Sequence, residues 1–457
     1  MSTNDTKTLA SADGHMKKVV VSSTIGTALE FYDFSLYGLA SALVFSQVFF
    51  SSVSAGMGTL AAFATFAVGF IARPVGAVIF GHLGDRVGRK SILIITLLLM
   101  GLPTFCIGLI PSFDSIGIAA PIILITLRFI QGVGLGGETG GAQLMNIEHA
   151  PAHERGYYGA WMTASSPLGS AMSAIFMLSI SLILSKDDFI AWGWRIPFLL
   201  SIIIVLVGMF VRHNVDESPV FLKMKTKNEV QKIPAMELIK QYPQQLIIAV
   251  AIWTGATICF YINTVFSVSY VKETLHLDQV SLLTIMIIIN LVSVVFPPMA
   301  GTLSDRIGRR PVMAAGAIAS IIIALIYFPV LNSGNPIFIF GIIMAFNATL
   351  FTLSGAQPSY FSEMFGARVR YSGVSITYTL GNLFGGGIAP FIAAALLMVG
   401  QFGTVLISGY IIVSLLITLF ALFMAKETVG INLYDNMPDE RGNISSHEEE
   451  PSGPKVN

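Results

Sequence analysis

The decapeptide GHLGDRVGRK at residues 81–90 returns as GTLSDRIGRR at residues 301–310, each time directly after an apolar segment. Gly, Leu, Asp, Arg, Gly and Arg occupy the same offsets in both copies, and Asp85 and Asp305 lie 220 residues apart. Internal repeats of this size are typical of secondary transporters. The sequence therefore predicts a duplicated membrane protein.

The composition of the chain suits a lipid bilayer better than water. Apolar residues make up 54% of the 457 residues, charged residues make up 11%, and the mean hydropathy is +0.75. A soluble domain cannot hide that much apolar surface. Apolar stretches of the ~20 residues that a helix needs to cross the bilayer begin near residues 19, 57, 91, 119, 156, 192, 246, 279, 311, 336, 372 and 402. We predict an all-α membrane protein with about twelve transmembrane helices in two pseudo-symmetric six-helix halves.

The Lys and Arg residues are distributed unequally between the two sides of the predicted spans. Of the 26, 21 fall in the N-tail, the loops after even-numbered spans and the C-tail, against only Lys186 and Lys272 in the opposite loops. Positive charge accumulates in cytoplasmic loops, so both termini and both decapeptides are predicted to be cytoplasmic. The predicted division is a cytoplasmic N-tail at 1–18, a first half at 19–211, a cytoplasmic linker at 212–245, a second half at 246–425 and a disordered cytoplasmic C-tail at 426–457.

Six charged residues are predicted to lie inside or at the edge of spans, all in the first half: Glu30, Asp33, Arg73, Arg128, Glu138 and Arg195. A charge in hydrocarbon costs at least ~2.5–3.5 kcal/mol on insertion scales, so those that persist usually serve a pathway or a buried pair. Two of the carboxylates are spaced i, i+3 and share one helix face, where each raises the other's affinity for protons. The predicted proton-coupling residues are Glu30, Asp33 and Glu138. The alternative is that a carboxylate of this set is permanently paired with a buried Arg.

Arg73 and Arg128 are suited to binding an anionic substrate. A guanidinium stays charged under all relevant conditions and grips a carboxylate at two points. Gln131 shares a helix face with Arg128, and the second half offers neutral polar groups inside its spans. The predicted substrate-binding residues are Arg73, Arg128, Gln131, Tyr37, Tyr261, Asn263, Asn347, Gln357, Tyr378 and Asn382. The alternative is that the two Arg residues only neutralise buried carboxylates.

The two decapeptides also predict a conformational latch. In each copy the Asp is followed by Arg at the first and fourth positions, where charge-assisted bonds can hold a loop against a neighbouring helix end. A second pair of repeats, an acid followed seven residues later by Arg, is predicted to complete the same networks. The predicted latch residues are Asp85, Arg86, Arg89, Glu148, Arg155, Asp305, Arg306, Arg309, Glu363 and Arg370. The alternative, an anchor that obeys the positive-inside rule, explains the bases but not an Asp at the same offset in both halves.

Other kinds of site find little support in the sequence. Cys106 and Cys259 fall in separate spans without ligand-like spacing to His or Cys, so neither a disulfide nor a metal site is predicted. The run GVGLGGETGG at 132–141 follows no predicted strand, which excludes a dinucleotide-binding fingerprint and favours close helix packing. Trp192 and Trp194 are predicted to anchor a span end at the membrane surface. We expect a monomer without cofactor or nucleic acid, whose partners are a small-molecule substrate, protons and the lipid bilayer.

Six strings resemble the metabolite:proton symporter family of the major facilitator superfamily. They are IGTALEFYDFSLYG at 25–38, ARPVGAVIFGHLGDRVGRK at 72–90, RFIQGVGLGGE at 128–138, WGWRIPF at 192–198, ESPVF at 217–221 and YFSEMFGARVRYSG at 360–373. The resemblance spans almost the entire chain and implies that the acidic pair of the first span and the Arg residues of spans two and four handle protons and substrate. It also implies a bacterial inner-membrane location. The chain departs from the family pattern at Thr139 and Phe31, where many members have Trp, so substrate identity does not carry over.

Two classes of function follow from these features. The first is proton-coupled symport, by alternating access, of a small anionic or zwitterionic metabolite such as an organic acid, a shikimate-like compound, a dicarboxylate or a betaine. The second is a proton-driven antiporter that exports drugs or amphipathic compounds. Antiporters of this superfamily often carry a Gly-rich motif ending in Gly-Pro in the fifth span, whereas this chain has Ser166 before Pro167. Import is therefore the prediction, and no nucleophile–base set or cofactor motif indicates an enzyme.

Overall fold

The computed structural model describes residues 20, 24, 27–77, 79–80, 89–136, 141–213, 234–366, 369–431 and 433. Within these ranges the chain is built from helices and contains no strand. The long helices are α1 (Thr27–Phe49), α2 (Ala55–Ala77), α3 (Arg89–Ile107), α4 (Ala119–Gly136), α5 (Arg155–Ile183), α6 (Arg195–His213), α7 (Pro243–Glu273), α8 (Gln279–Ile307), α9 (Arg309–Leu331), α10 (Pro336–Met364), α11 (Arg370–Leu397) and α12 (Gly403–Met424). All except α3 and α6 are long and apolar enough to cross a membrane by themselves. The predicted all-α membrane fold is confirmed.

The helix boundaries agree well with the hydropathy pattern. The predicted span starts at 119 and 336 are the first residues of α4 and α10. Four short helices lie beside the ends of the long ones: Phe113–Ile116, Gly141–His149, Lys186–Asp188 and Pro234–Gln241. The predicted N-tail, most of the predicted linker and the C-tail after residue 433 lie outside the described residues, so the division into domains stays a prediction.

The first helix of each predicted half widens into a π-helical turn at a matching point. The turns cover Ser41–Phe45 in α1 and Ile262–Phe266 in α7, a separation close to that of the two decapeptides. Further π-helical turns occur at Phe189–Gly193, before α6, and at Asn382–Gly386 in α11. Such turns are frequently found at functional sites because they interrupt the regular backbone ladder.

Close helix contacts occur where side chains are smallest. α2 packs against α4, and a Cβ atom on Gly76 would collide with the carbonyl oxygen of Val133. α5 packs against α8, where a Cβ atom on Gly301 would collide with the carbonyl oxygen of Gly156. Small residues let helix backbones approach closely in a lipid environment. We call α1–α6 the first group of helices and α7–α12 the second group. The contact between α5 and α8 joins the two groups, as does a contact between α2 and α11.

Trp192 and Trp194 have different environments although both were expected at the membrane surface. The side chain of Trp192 is 48% exposed, whereas Trp194 is fully buried and lies edge-on to the rings of Phe45, Phe49 and Phe198. The prediction for Trp194 is therefore wrong. The π-helical turn that ends one residue before it places the indole ring inside the helix bundle.

Candidate functional site

Arg128 lies in the interior of the first group of helices, midway along α4. Its side chain is fully buried, and its Nη1 donates a 2.5 Å hydrogen bond to Oε1 of Gln131, one turn along the same helix. The guanidinium carbon lies 4.1 Å from the ring centre of Tyr37 and 4.9 Å from that of Phe34, which is close enough for cation–π attraction. Within the described residues, its Nε and Nη2 have no hydrogen-bond partner. The guanidinium therefore keeps donors on two nitrogens for another group.

Arg73 of α2 is close enough to Arg128 for the two charges to interact. Its guanidinium carbon lies 4.4 Å from the ring centre of Phe70 and 4.6 Å from that of Phe34. The side chain is buried, and its Nε is without a partner in the described part of the chain. Among those same residues no ion pair joins either guanidinium to a carboxylate. Two buried guanidinium groups without a direct ion pair are costly, although Glu30 acts electrostatically on Arg73 and Asp33 on Arg128.

A chain of hydrogen bonds leads from Arg128 to Asp33 of α1. Gln131 Nε2 donates to Oγ1 of Thr104, on α3, over 2.9 Å. The Thr104 hydroxyl in turn lies 3.4 Å from Oδ2 of Asp33 and 2.9 Å from the carbonyl oxygen of Met100. Asp33 is 5% exposed, and its Oδ1 has no partner among the described atoms. A buried carboxyl that faces a hydroxyl rather than a cation is a candidate for proton exchange inside a membrane span.

The other predicted residues of the first half are less uniformly placed. Glu30 is half-buried and interacts electrostatically with Asp33 and with Arg73, so the i, i+3 spacing does bring the two carboxyls near each other. Tyr37 donates a 2.7 Å hydrogen bond to Oγ1 of Thr65 while its ring lies under Arg128. Glu138 lies outside the described residues.

A cavity between the two groups of helices adjoins these charged residues. Its volume of ≈ 20 Å³ leaves room for about one water molecule. Its walls come from α1, α5, α7 and α8 and include Phe34, Ser35, Tyr261, Thr264 and Asn290. Phe34 lines the cavity and also contacts both guanidinium groups. Aromatic walls with a few polar groups are typical of small-molecule sites.

Asn263 and Asn347, predicted to bind substrate, belong to a network inside the second group of helices. Asn263 Nδ2 donates to Asn347 Oδ1 over 2.9 Å, and the Tyr327 hydroxyl donates to Asn263 Oδ1 over 2.5 Å. The hydroxyls of Ser267 and Tyr327 are 2.8 Å apart. All four side chains are buried and none lines the cavity, whereas Tyr261 does.

Trp253 of α7 contacts Tyr378 and Asn382, and Gln357 lies close by. Trp253 Nε1 donates to Asn382 Oδ1 over 3.1 Å, and the ring centres of Trp253 and Tyr378 are 4.3 Å apart. Gln357 Nε2 donates to the carbonyl oxygen of Ile252 over 3.5 Å, while its Oε1 has no partner in the described part of the chain. These residues are not among those that line the cavity.

Thr104, Thr264, Ser35 and Phe34 belong to the site although sequence reasoning did not single them out. A Thr inside an apolar helix commonly bonds to a carbonyl one turn back, as Thr104 and Thr264 both do, so its presence indicates nothing about a ligand. Phe34 lies within the LEFYDF motif at 29–34, but the chain contains 32 Phe residues. Only their positions beside the cavity and the charged groups distinguish these four.

One end of the molecule, which we call the latch end, holds the second decapeptide. Asp305, near the end of α8, accepts hydrogen bonds from the backbone N–H groups of Gly156 (2.8 Å) and Tyr157 (3.0 Å) in the first turn of α5. The same carboxylate accepts a 2.6 Å bond from Arg309 Nη1. Asp305 therefore caps the N-terminus of α5, a helix of the other group, and places a negative charge at the positive end of its dipole.

A second carboxylate, Glu363 of α10, forms an ion pair with the Arg309 guanidinium. Arg309 donates to both Glu363 oxygens, from Nη2 over 3.1 Å and from Nε over 3.3 Å. The Thr428 hydroxyl also donates to Glu363 over 2.7 Å. The side chains of Arg309 and Glu363 are each only 1% exposed, so this is a fully desolvated bidentate pair.

The repeated acid–Arg pairs are connected crosswise rather than within each repeat. Arg370 lies 3.6 Å from Glu148 of the other group of helices, and its guanidinium also donates to the Ser362 carbonyl over 2.8 Å. Arg155 donates to the carbonyl oxygen of Ile431 over 2.7 Å. The contact of Arg370 with Glu148 joins the two groups of helices at the latch end, and the bond from Arg155 joins α5 to the segment that follows α12.

The remaining latch residues contribute less to these contacts. Asp85 and Arg86 lie outside the described residues, as does the side chain of Arg89, and Arg306 is exposed. A residue that the latch prediction did not include, Glu427, closes the N-terminus of α9 by accepting from the backbone N–H groups at positions 309 and 310, each over 3.0 Å. Burial alone would raise the pKa of Glu427, but the four backbone N–H groups that donate to it hold that pKa below the ordinary range.

The opposite end of the molecule is also joined across the two groups of helices. Thr59 of α2 donates to both carboxylate oxygens of Glu273, at the end of α7, over 3.0 and 3.1 Å. Lys272 Nζ donates to the carbonyl oxygen of Leu43, inside the π-helical turn of α1. The cavity therefore lies between two sets of contacts, one at each end.

In the ranges that the structure describes, no three His, Cys, Asp or Glu side chains cluster as metal ligands. Cys106 and Cys259 are free thiols.

Known proteins resemble this chain over most of its length. A family model described as the Major Facilitator Superfamily matches residues 23–390. The inner membrane metabolite transport protein YhjE of Escherichia coli is 38% identical over 416 residues, which are 90% of this chain and 94% of that protein. The shikimate transporter of Escherichia coli is 38% identical over 418 residues, 90% of this chain and 95% of that protein. The proline/betaine transporter of Escherichia coli is 33% identical over 427 residues, which are 92% of this chain and 85% of that protein.

A solved structure shares the fold at lower sequence identity. The xylose transporter XylE from Escherichia coli, in a partially occluded inward-open conformation, matches with a TM-score of 0.71 and 18% identity, and the match covers 92% of this chain and 100% of that chain. The apolar helices, the relatives and this fold together make the protein a multi-pass membrane transporter rather than an enzyme. Because the family model covers most of the chain and relatives above 30% identity cover nine tenths of it, the chain belongs to the major facilitator superfamily, as a metabolite permease.

Proposed function

We propose that the protein is a proton-coupled symporter of a small metabolite that carries a carboxylate, either an organic anion or a zwitterion. The observation that carries this proposal is the pair of buried guanidinium groups, Arg73 and Arg128, beside the central cavity. In the part of the chain that the structure describes, neither has a carboxylate partner, and three of their nitrogen atoms have no acceptor. An anionic substrate would supply acceptors for these nitrogen atoms.

The geometry of Arg128 favours a carboxylate over a single-point anion. Its Nη1 is committed to Gln131, which leaves Nε and Nη2, the two nitrogens of one edge of the guanidinium. That edge matches the two oxygens of a carboxylate. The names of two relatives, a shikimate transporter and a proline/betaine transporter, agree with this chemistry. Shikimate, proline and betaine each carry a carboxylate.

Asp33 and Glu30 are the proposed proton-coupling residues, with Glu138 as the remaining candidate. Symport requires a group that gains and loses a proton as the site changes its exposure. The Asp33 carboxyl is buried, faces the Thr104 hydroxyl and lies near Glu30. A protein with a similar fold is described as a D-xylose-proton symporter, so this fold has a precedent for proton coupling.

The two sets of contacts at the ends of the molecule support alternating access. Opening the latch end requires separation of Asp305 from the first turn of α5 and of Arg370 from Glu148. Opening the opposite end requires separation of Glu273 from Thr59. We propose that the latch end faces the cytoplasm, with both termini, in a bacterial inner membrane, because the positive charge of the sequence is concentrated on that side.

Binding and coupling can be tested separately with the purified full-length protein. A thermal-shift screen with small acids, betaines and drugs identifies ligands of the native state, since such a ligand raises the melting temperature by mass action. Proteoliposomes loaded at high pH and diluted to low pH should then accumulate the best ligand above its external concentration. Protection by cationic drugs alone, with efflux of the drug driven by the same acid-outside gradient, would support the antiporter alternative instead.

A further inference from the structure

Asp33 and Arg128 are connected through two neutral side chains and not by direct contact. The two charges interact electrostatically, but no ion pair between them occurs in the described ranges. Instead the path runs from α4 through Gln131 to Thr104 on α3 and then to Asp33 on α1. Three helices of the first group are therefore tied together by one path between the proposed proton site and the proposed anion site.

Every donor on this path points the same way. Arg128 Nη1 donates to Oε1 of Gln131, Gln131 Nε2 donates to Thr104, and the Thr104 hydroxyl has Asp33 Oδ2 as an acceptor. Reversal of the Gln131 amide would bring its NH₂ group against the guanidinium, so the contact with Arg128 fixes its orientation. A series of donors directed from a cation to an anion is strongest when the terminal carboxylate is ionised.

Thr104 is the point at which this path responds to a proton. Its hydroxyl carries one hydrogen and has two acceptors in reach, Asp33 Oδ2 at 3.4 Å and the Met100 carbonyl at 2.9 Å. An ionised Asp33 attracts that hydrogen, and the chain of donors is complete. A protonated Asp33 is itself a donor, so the Thr104 hydrogen turns to Met100 while its oxygen accepts from both Gln131 and Asp33.

We propose that Thr104 and Gln131 are positioning residues that transmit the protonation state of Asp33 to Arg128. The inference rests on the proposed function, in which Asp33 exchanges the proton and Arg128 binds the anion. With Asp33 ionised, the guanidinium is held toward the interior of the half by the complete chain. With Asp33 protonated, that hold weakens, and the guanidinium is free to move its unpartnered edge toward the substrate. Proton binding then raises the affinity for the anion, which is the sign of coupling that symport requires.

Other titratable groups around Asp33 act on the same equilibrium and set the background. Tyr32 and Glu30 are on its own helix, and Arg128 faces it from α4. Arg73 of α2 acts on Glu30 and on Arg128. None of these groups is changed by a substitution at Thr104, which makes Thr104 the selective point for a test.

The test is an infrared pH titration of the full-length protein in lipid nanodiscs, with the carboxyl C=O band of Asp33 assigned by its loss in Asp33→Asn. Thr104→Val removes the donor to the ionised carboxylate, so the midpoint of the Asp33 band should move about one pH unit upward. Thr104→Ser keeps the hydroxyl and should titrate like the wild type. Gln131→Leu removes the link to Arg128 and should shift the midpoint in the same direction, by less.

A second readout connects the proton to the anion. Shikimate, used as the probe, should bind the wild type more tightly at low pH than at high pH in a thermal-shift titration. We expect the ratio of the two affinities to fall at least threefold in Thr104→Val and in Gln131→Leu, and to be kept in Thr104→Ser. If Thr104→Val lowers the melting temperature, Gln131→Leu and the Ser variant still decide the question, because the infrared band is read on folded protein.

Each outcome has one meaning. An Asp33 midpoint that is equal in wild type and Thr104→Val, or that shifts equally in Thr104→Ser, overturns the role of the hydroxyl. A shift in Thr104→Val with no change of either readout in Gln131→Leu overturns the transmission to Arg128. An Asp33 band that does not titrate, or a probe affinity independent of pH in the wild type, overturns both this inference and the proposed coupling site. Failure of every anion to bind overturns the proposed substrate class.

Discussion

The bonds from Asp305 to the first turn of α5 make the latch a quantitative prediction. We consider Asp305→Ala, which removes the carboxylate that accepts from the N–H groups of Gly156 and Tyr157. A matched control is Asp278→Ala, because Asp278 caps the N-terminus of α8 by accepting from Ser281 N–H over 3.1 Å within one group of helices. Both substitutions remove a helix cap, but only the first removes bonds between the two groups.

The expected magnitude follows from which bonds are broken when the latch end opens. The contact of Asp305 with Arg309 joins α8 to the start of α9, so it persists when the groups separate and does not bias opening. Only the two bonds to α5 do. A carboxylate N-cap contributes about 1 kcal/mol, and its charge at a partly buried helix N-terminus contributes up to ~2 kcal/mol. A loss of about 2–3 kcal/mol corresponds to a roughly 30- to 150-fold larger open fraction.

Hydrogen exchange of the same two amides measures this directly. Exchange mass spectrometry on peptides that cover the start of α5 should show the amides of Gly156 and Tyr157 exchanging faster in Asp305→Ala by a factor within that range. The control Asp278→Ala should leave them unchanged while it accelerates the amide of Ser281. Arg309 keeps its pair with Glu363 in the variant, so we expect the protein to remain folded.

Unchanged exchange at Gly156 and Tyr157 in Asp305→Ala would refute the reasoning. It would mean that these bonds form without restraining the separation of the helices. An equal acceleration in the control would show that loss of a cap destabilises the bundle as a whole, and would likewise remove the special role of Asp305.

Four further outcomes are expected. Arg128→Lys should weaken binding of shikimate, used as the probe in a thermal-shift titration, at least tenfold, because Lys keeps the charge but lacks the two-point fork; wild-type affinity would leave Arg128 a structural role only. Neutralisation of the coupling carboxylate, as Glu30→Gln or Asp33→Asn, should abolish uphill uptake driven by a pH gradient but spare exchange at equal pH; uptake as strong as in wild type by both variants excludes this pair. Because the pKa of Glu427 is lowered in the folded protein, its stabilisation is complete at neutral pH and is lost as the pH falls through that lowered pKa; Glu427→Gln should therefore melt earlier than wild type at neutral pH, and a gap that persists in acid contradicts this. A reporter inserted near Ser185 should be external, and a cytoplasmic reporter there would reverse the proposed orientation.

Much of the architecture could be predicted because it depends on properties that are read along the chain. Hydropathy locates each span from about twenty consecutive residues, and α4 and α10 begin where it places them. The repeat of the decapeptide indicates the duplication without any knowledge of contacts. The neighbourhood of Glu30 and Asp33 could also be inferred, since residues three apart on a helix must lie on one face.

Partners across the bundle could not be predicted in the same way. The sequence grouped Glu148 with Arg155 and Glu363 with Arg370, whereas the structure pairs Glu148 with Arg370 across the two groups of helices. Trp192 and Trp194 look alike in sequence, yet the π-helical turn before Trp194 buries Trp194 and leaves Trp192 exposed. These outcomes depend on which helix faces meet.

The sequence by itself determined the class of protein, the number and order of its helices and the residue types that can carry charge into the membrane, because the cost of burying polar groups in hydrocarbon acts on each segment separately. Only the tertiary structure decided that Arg128 keeps two nitrogens without partners, that Thr104 stands between Gln131 and Asp33, and that Asp305 caps a helix of the other group. The physical reason is that hydrogen bonds and ion pairs act over about 3–4 Å, so their partners are set by the packing of helices that lie far apart along the chain.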